Sequence, residues 1–109
     1  DLESKGINRN DVTFEDVKIS NNYLVGYGRN GIYAYGGSCI AISNNTVADS
    51  KANYYCIKVG GNSANVTEKC IVNGNVGSIN TGNNLATTNI CNNVGLIKND
   101  GGANLSNNI

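Results

Sequence analysis

Ile19-Ser20-Asn21-Asn22 returns as Ile42-Ser43-Asn44-Asn45, as Ile90-Cys91-Asn92-Asn93 and as Leu105-Ser106-Asn107-Asn108, with a degenerate copy at Val72-Asn73-Gly74-Asn75. A second marker, a small residue followed by Ile, occurs at Gly6-Ile7, Gly31-Ile32 and Cys56-Ile57, 25 residues apart each time. The first two copies of the Asn-pair motif are 23 residues apart. Two markers that keep nearly one period indicate a repeat architecture. Helical repeats would need Ala, Leu, Glu and Lys at a period of about 3.6 residues. The chain offers instead Val, Ile, Tyr and Thr in short alternating runs, such as Val17-Lys18-Ile19 and Ile32-Tyr33-Ala34-Tyr35, bounded by Gly and Asn. A strand followed by a turn, three times per repeat, fills this period, so the sequence predicts an all-β solenoid of stacked coils.

Residues 1–5 read as a lead-in and 6–109 as a single domain of four to five coils. The first coil runs over 6–30 and the second over 31–55. The third starts at Cys56 and carries extra residues between Gly60 and Lys69. A shorter fourth starts near Leu85 and holds Ile90, Val94 and Ile97, and a partial fifth begins with Leu105. The last two intervals, 18 and 15 residues, are short for a three-sided coil. In a parallel stack, equivalent residues lie about 4.8 Å apart. Ile7, Ile32 and Ile57 should then form one inward column, and Ile19, Ile42 and either Ile71 or Val72 another. Asn22, Asn45, Asn75, Asn93 and Asn108 should form a ladder at a tight bend. Asn tolerates the left-handed backbone of such a bend, and its amides can bond to the copies above and below. The role expected of this ladder is structural.

Composition supports order over disorder. The chain has 109 residues, 14 glycines and no proline, but its charged fraction is only 15% and its aliphatic residues are regularly spaced. Eight basic and eight acidic residues give a formal net charge of zero. Nucleic acid and membrane are therefore not expected partners, since both normally require a basic surplus. No apolar run approaches the roughly 20 residues of a membrane span, and no secretion signal is visible. The chain begins at Asp1 without a methionine, so a fragment or a processed product is expected.

The Ile-Ser-Asn-Asn and Gly-Ile pattern, over roughly 6–109, resembles the pectin-lyase-like right-handed parallel β-helix superfamily. That group includes pectate lyases, polygalacturonases and bacteriophage tailspikes and tail appendages. The resemblance implies a right-handed parallel β-helix. It carries no catalytic residue, because the pattern is shared by proteins of different activities.

Cys39 and Cys70 each precede an Ile expected to point inward, Ile40 and Ile71. Aligned coils would bring them within disulfide range, and buried free thiols fit the same positions. The lack of a visible secretion context favours thiols. Cys56 takes the slot of Gly6 and Gly31, and Cys91 lies beside the Asn column. With no histidine and no Cys-x-x-Cys pair, neither a zinc site nor a Ser-His-Asp triad is expected. The acidic residues form no calcium cage. Glu15 and Asp16 are adjacent, so in a strand they face opposite ways, and Asp49 lies in a different part of its coil from Asp16. A complete glycosidase pair is not expected within the chain, nor is any cofactor. The three Asn-x-Ser/Thr sequons, at Asn44, Asn65 and Asn104, carry no weight in so asparagine-rich a chain.

One surface constellation stands out. Tyr33 and Tyr35 should face outward between inward Ile32 and Ala34. Lys58, one coil later, should lie beside Tyr33, and Tyr54 beside Arg29. Rings with cationic and amide donors nearby suit sugars, although outward tyrosines also suit a subunit interface. The first expectation is a segment of a phage tailspike or tail appendage that recognises host cell-surface polysaccharide, located on a virion tail or extracellularly, as a homo-oligomer, a trimer. The alternatives are a fragment of a polysaccharide lyase or hydrolase with catalytic residues elsewhere, and a structural oligomerisation module. An ice-binding role is distant, because the threonines are not in register.

Overall fold

Strands of two or three residues alternate with Gly- and Asn-rich corners along the whole described chain. The computed structural model describes residues 4, 15–26, 28–48, 51, 53–60, 67–82, 85 and 87–109. The lead-in apart from Ser4, the Gly6-Ile7 marker, Asp49, the Asn65 sequon and most of the extra residues of the third coil lie outside that set. No α-helix occurs among the described residues.

Five strands form one sheet: β1 (Lys18–Ser20), β5 (Ala41–Ser43), β9 (Ile71–Asn73), β11 (Asn89–Cys91) and β13 (Asn104–Ser106), in that order and all parallel. Four form a second: β3 (Ile32–Ala34), β7 (Ile57–Val59), β10 (Ile79–Thr81) and β12 (Ile97–Asn99), also parallel. A third side begins with β2 (Tyr23–Leu24) on β6 (Thr46–Val47) and continues through single bridges from Thr46 to Val76 and from Val76 to Val94. A short pair, β4 (Gly37–Ser38) on β8 (Thr67–Glu68), sits between the second side and the first. Each strand pairs with the corresponding strand of the preceding or following circuit of chain, an arrangement compatible with a parallel β-helix.

Alternation within these strands builds the core. Ile42, Val72 and Ile90 are fully buried in one file, with Ile19 above and Leu105 below. Ile32, Ile57 and Ile79 form the opposing file, with Ile97 completing it. Full burial of Ile42, Val72, Ile90, Ile57 and Ile79 stabilises the stack by about 1.5–3 kcal/mol each.

The Asn pairs correct the expectation that the ladder residues themselves carry the left-handed backbone of the bend. The left-handed residue at the corner is the first of the pair: Asn21 (φ 60°), Asn44 (φ 56°), Gly74 (φ 70°), Asn92 (φ 58°) and Asn107 (φ 53°). The second turns inward and forms the ladder. Asn45 gives two hydrogen bonds to Oδ1 of Asn75, from N at 3.0 Å and Nδ2 at 2.9 Å, and its other Nδ2 bond goes to the Ile19 carbonyl at 3.0 Å. Asn22, Asn75 and Asn93 repeat the double donation onto Asn45, Asn93 and Asn108. Each of Asn45, Asn75 and Asn93 therefore uses two donors and two lone pairs, the full capacity of a primary amide.

The later circuits differ from the expected division. The second-sheet marker after Ile57 is Ile79, preceded by Ser78, not a residue near Leu85. Leu85 is buried in the link between β10 and β11. Successive ladder residues are separated by 23, 30, 18 and 15 residues, yet every rung keeps the same hydrogen bonds. The shortening falls on the connections: the link from β12 to β13 is only 100–103, tied by Asn99, which accepts from Ala103 N at 3.0 Å and donates to Ala103 O at 2.9 Å. Short circuits thus keep both sheets and the ladder.

The free thiols expected are found, but the alignment of Cys39 with Cys70 is corrected. Ala41 pairs with Ile71, so Ile40, not Cys39, lies over Cys70. Ile40 and Cys70 point inward and are buried, whereas Cys39 occupies a left-handed corner (φ 55°) and is exposed, and Ile71 is half exposed. Opposite orientations keep the two sulfurs apart, and all four cysteines are free thiols.

Candidate functional site

Strand β3 carries the tyrosine face. Ile32 and Ala34 are buried in the core, which fixes Tyr33 outward, and Tyr35 follows at the strand end with both rings about half exposed. Their centroids lie 5.6 Å apart at 73°, an edge-to-face pair. From the next circuit, Ile57 and Val59 are buried and Lys58 points outward between them, with Nζ 5.4 Å from the centre of the Tyr33 ring. A second cation–aromatic contact precedes this strand, with the Arg29 guanidinium carbon 4.7 Å from the Tyr54 ring. Asn30 donates to the Tyr55 carbonyl at 2.7 Å, and Gly31 N to the Cys56 carbonyl at 2.8 Å, which holds the two circuits together just before β3.

Two groups result, Tyr33–Tyr35–Lys58 and Arg29–Tyr54, on consecutive stretches of the same two circuits. The register continues the first group beyond what the sequence suggested. Asn80 pairs with Lys58 and Lys98 with Asn80, so Tyr33, Lys58, Asn80 and Lys98 form one outward file across four strands. Asn80 Nδ2 donates to Asp100 Oδ2 at 3.1 Å, and Lys98 Nζ lies 3.8 Å from the same oxygen. Ser78-Ile79 fits the small-residue–Ile marker, and following it at an interval of 22 instead of 25 residues would have exposed Asn80 as the next outward residue.

The carboxylates assemble differently from expectation as well. Asp16 is not in a strand but at a left-handed corner (φ 57°). Glu15 pairs with Ser38 and Ser38 with Glu68, which sets Glu15 and Glu68 two rungs apart in one exposed file. Both stand in open solvent among the described residues. No group of three or more Cys, Asp or Glu that could hold a metal ion occurs among the described residues, and no helix there is long and apolar enough to cross a membrane.

The third side has the opposite character. Tyr23, Thr46, Val76 and Val94 follow one another in register, and Ile109 comes next through its backbone bonds to Asn93 and Gly95. Tyr23, Val25, Val76, Val94, Leu96 and Ile109 are all exposed there. Residues 22–26, 45–48, 75–78, 93–96 and 108–109 include no Asp, Glu, Lys or Arg.

No family model, curated protein or solved structure matches this chain. The surface chemistry alone therefore carries the functional argument.

Proposed function

We propose that the chain is a segment of a right-handed parallel β-helix that recognises an extended cell-surface polysaccharide, in the manner of a phage tailspike or tail appendage, with Tyr33, Tyr35, Lys58, Arg29 and Tyr54 as contact residues. The observation that carries this reading is the edge-to-face pair of Tyr33 and Tyr35 beside Lys58, held half exposed on a strand whose alternate residues are core. Aromatic faces stack on the C–H faces of sugar rings, and an ammonium donates to hydroxyls and carboxylates. A site anchored by buried neighbours loses little side-chain entropy on binding. The long stack suits a polymer.

A panel of cell-surface polysaccharides tests it by calorimetry together with an assay for released reducing ends. The expected result is binding without release, weakened about tenfold or more in a Tyr33→Ala/Tyr35→Ala variant whose circular dichroism is unchanged. Undiminished binding by that variant rejects the tyrosine face. Release of reducing ends or of unsaturated uronates replaces this reading with a polysaccharide-degrading enzyme.

The charge-free third side favours a second reading, a homo-oligomer in which copies of the chain meet along it; a trimer is the assembly proposed. Interfaces are depleted in charge at their centre and enriched in aromatic and aliphatic contact. Sedimentation of the whole chain at rising concentration should show association that Leu96→Lys or Val94→Lys abolishes. A monomer at all concentrations rejects it.

A further inference from the structure

The asparagine ladder follows one bonding rule, and under that rule its two ends are complementary. Each ladder residue donates from N and Nδ2 to Oδ1 of the next, and its other Nδ2 hydrogen goes back to the central carbonyl of the preceding strand of the first sheet. Those return bonds run from Asn45 to Ile19, Asn75 to Ile42, Asn93 to Val72 and Asn108 to Ile90. Beside them, the backbone N of the first Asn position bonds the last carbonyl of the following strand: Asn21 to Ser43, Asn44 to Asn73, Gly74 to Cys91 and Asn92 to Ser106. Asn22 departs from the rule. Its Nδ2 turns to the Ser20 carbonyl of its own strand at 3.2 Å, the acceptor that a preceding circuit would use. Asn22 Oδ1 accepts from no described residue. At the far end, Asn108 N and its second Nδ2 hydrogen find no acceptor among the described residues, and Leu105 is half exposed at the end of the core file.

We propose that a second copy of this chain docks the edge of its β1 on the edge of β13, head to tail, so that the ladder runs on across the junction. Asn108 N and Nδ2 donate to Oδ1 of Asn22 in the second copy. That Asn22 releases its own Ser20 carbonyl and donates to the Leu105 carbonyl instead. Ser20 O, now open, accepts from Asn107 N. Ile19 of the second copy covers Leu105, as Leu105 covers Ile90 within one chain. The inference is independent of the glycan reading, and the contact lies at the ends of the stack, not on its third side.

Complementarity selects a copy of this chain over another partner. β1 and β13 are the two outer strands of the first sheet, and an open strand edge is a template for pairing. Every donor and acceptor left over at one end meets its counterpart from the other, because both obey the same rule. Charge does not oppose the contact. Lys18 is the only charged residue of the two strands, and in register it faces the neutral Asn104. A contact between two different surfaces of one molecule does not close by a two-fold axis, so it adds copies one after another along the stack.

Sedimentation velocity of the whole chain at rising concentration tests this, with electron microscopy of the largest species. Growth without a fixed end point is expected, into rods that diffract at about 4.8 Å along their length. Asn22→Ala removes the acceptor at one end, and Leu105→Lys places a charge on the core file at the other. Each should weaken association about tenfold or more with circular dichroism unchanged. A mixture of the two variants decides the polarity: Leu105→Lys keeps an intact β1 end and Asn22→Ala an intact β13 end, so together they should form a one-to-one pair that neither forms alone. Should Leu105→Lys fail to fold, Asn22→Ala carries the test by itself. A monomer at every concentration, or association indifferent to Asn22→Ala, overturns the inference. A closed oligomer lost in Leu96→Lys but kept in Leu105→Lys also overturns it and leaves the third side as the interface.

Discussion

Asn45 donates two hydrogen bonds to a single atom of Asn75, Oδ1, from its backbone N at 3.0 Å and its Nδ2 at 2.9 Å, across a sequence separation of 30 residues. Asn75 in turn donates to the Ile42 carbonyl at 2.9 Å and to Asn93 Oδ1 at 3.0 Å. Asn75→Ala thus strips partners from groups on both neighbouring circuits at a fully buried position. Each buried orphan costs about 1–3 kcal/mol, so a loss of about 3 kcal/mol or more is expected. Asn22→Ala should cost less than about 1 kcal/mol, because Asn22 is exposed and its backbone N still bonds Asn45 Oδ1 at 3.0 Å. Urea unfolding of the two variants checks the contrast, and equal losses would refute the ladder as a graded, burial-dependent device.

The existence of this ladder was legible in the sequence because its motif, an aliphatic residue three places before the ladder Asn, recurs although the spacing varies from 15 to 30 residues. The assignment of the left-handed residue was not. Both members of an Asn pair tolerate positive φ, and only the degenerate copy distinguishes them: its glycine, Gly74 (φ 70°), stands where the first Asn stands elsewhere. The circuits after Ile57 were misread for a related reason. Unequal coils were expected, but the small-residue–Ile marker was followed only at an interval of 25; the stack requires only that strands and ladder align, so the loops are free to shrink until β12 and β13 are joined by 100–103. The common position of Cys39 and Cys70 before an Ile suggests that they align in successive coils. Register is fixed by burial, however, and it matches Ile40 with Cys70. Of the tyrosine face, alternation revealed the β3 and β7 residues, while Asn80 and Lys98 were hidden by the change of period.

The choice between Ile71 and Val72, which sequence pattern left open, gives a second test. Val72 is completely buried between Ile42 and Ile90, whereas Ile71 is half exposed beside Ala41 and Asn89. Val72→Ala removes two methyl groups from the core and should cost about 2 kcal/mol. Ile71→Ala removes more carbon yet should cost less than about 1 kcal/mol. Chemical denaturation that ranked them in the other order would place the first sheet one residue out of register.

Gly77 marks a close approach between circuits. Its φ is 142°, and a Cβ there would lie 2.5 Å from the Val47 carbonyl oxygen and 3.2 Å from Cys56 Cβ. Gly77→Ala combines an unfavourable backbone with a clash against backbone, so a loss of about 2–3 kcal/mol is expected. Gly26 (φ 78°) is the control, with nothing within 4 Å of its Cβ position. Gly26→Ala should cost only the backbone term, about 1–2 kcal/mol. Thermal unfolding of the pair separates conformation from contact, and a Gly77→Ala loss no larger than that of Gly26→Ala would remove the contact.

Cys70 couples the core to pH. It lies beneath Ile40, almost wholly buried, with Sγ donating to the Glu68 carbonyl at 3.4 Å, and burial pushes its thiol above the ordinary value of 9.0. The folded chain therefore holds a proton that the unfolded chain releases first. Unfolding becomes easier as pH rises past that ordinary value, and the contribution, complete below it, is lost as pH climbs through the folded value. Cys70→Ala should lower stability at neutral pH through its cavity but show a shallower decline above pH 9.0 than the parent chain. Thiol labelling in the native state gives an independent reading: Cys39 should react quickly, and Cys70 only through unfolding. Parallel stability curves for the two proteins, or equal labelling rates at Cys39 and Cys70, would mean that Cys70 is not sealed beneath Ile40.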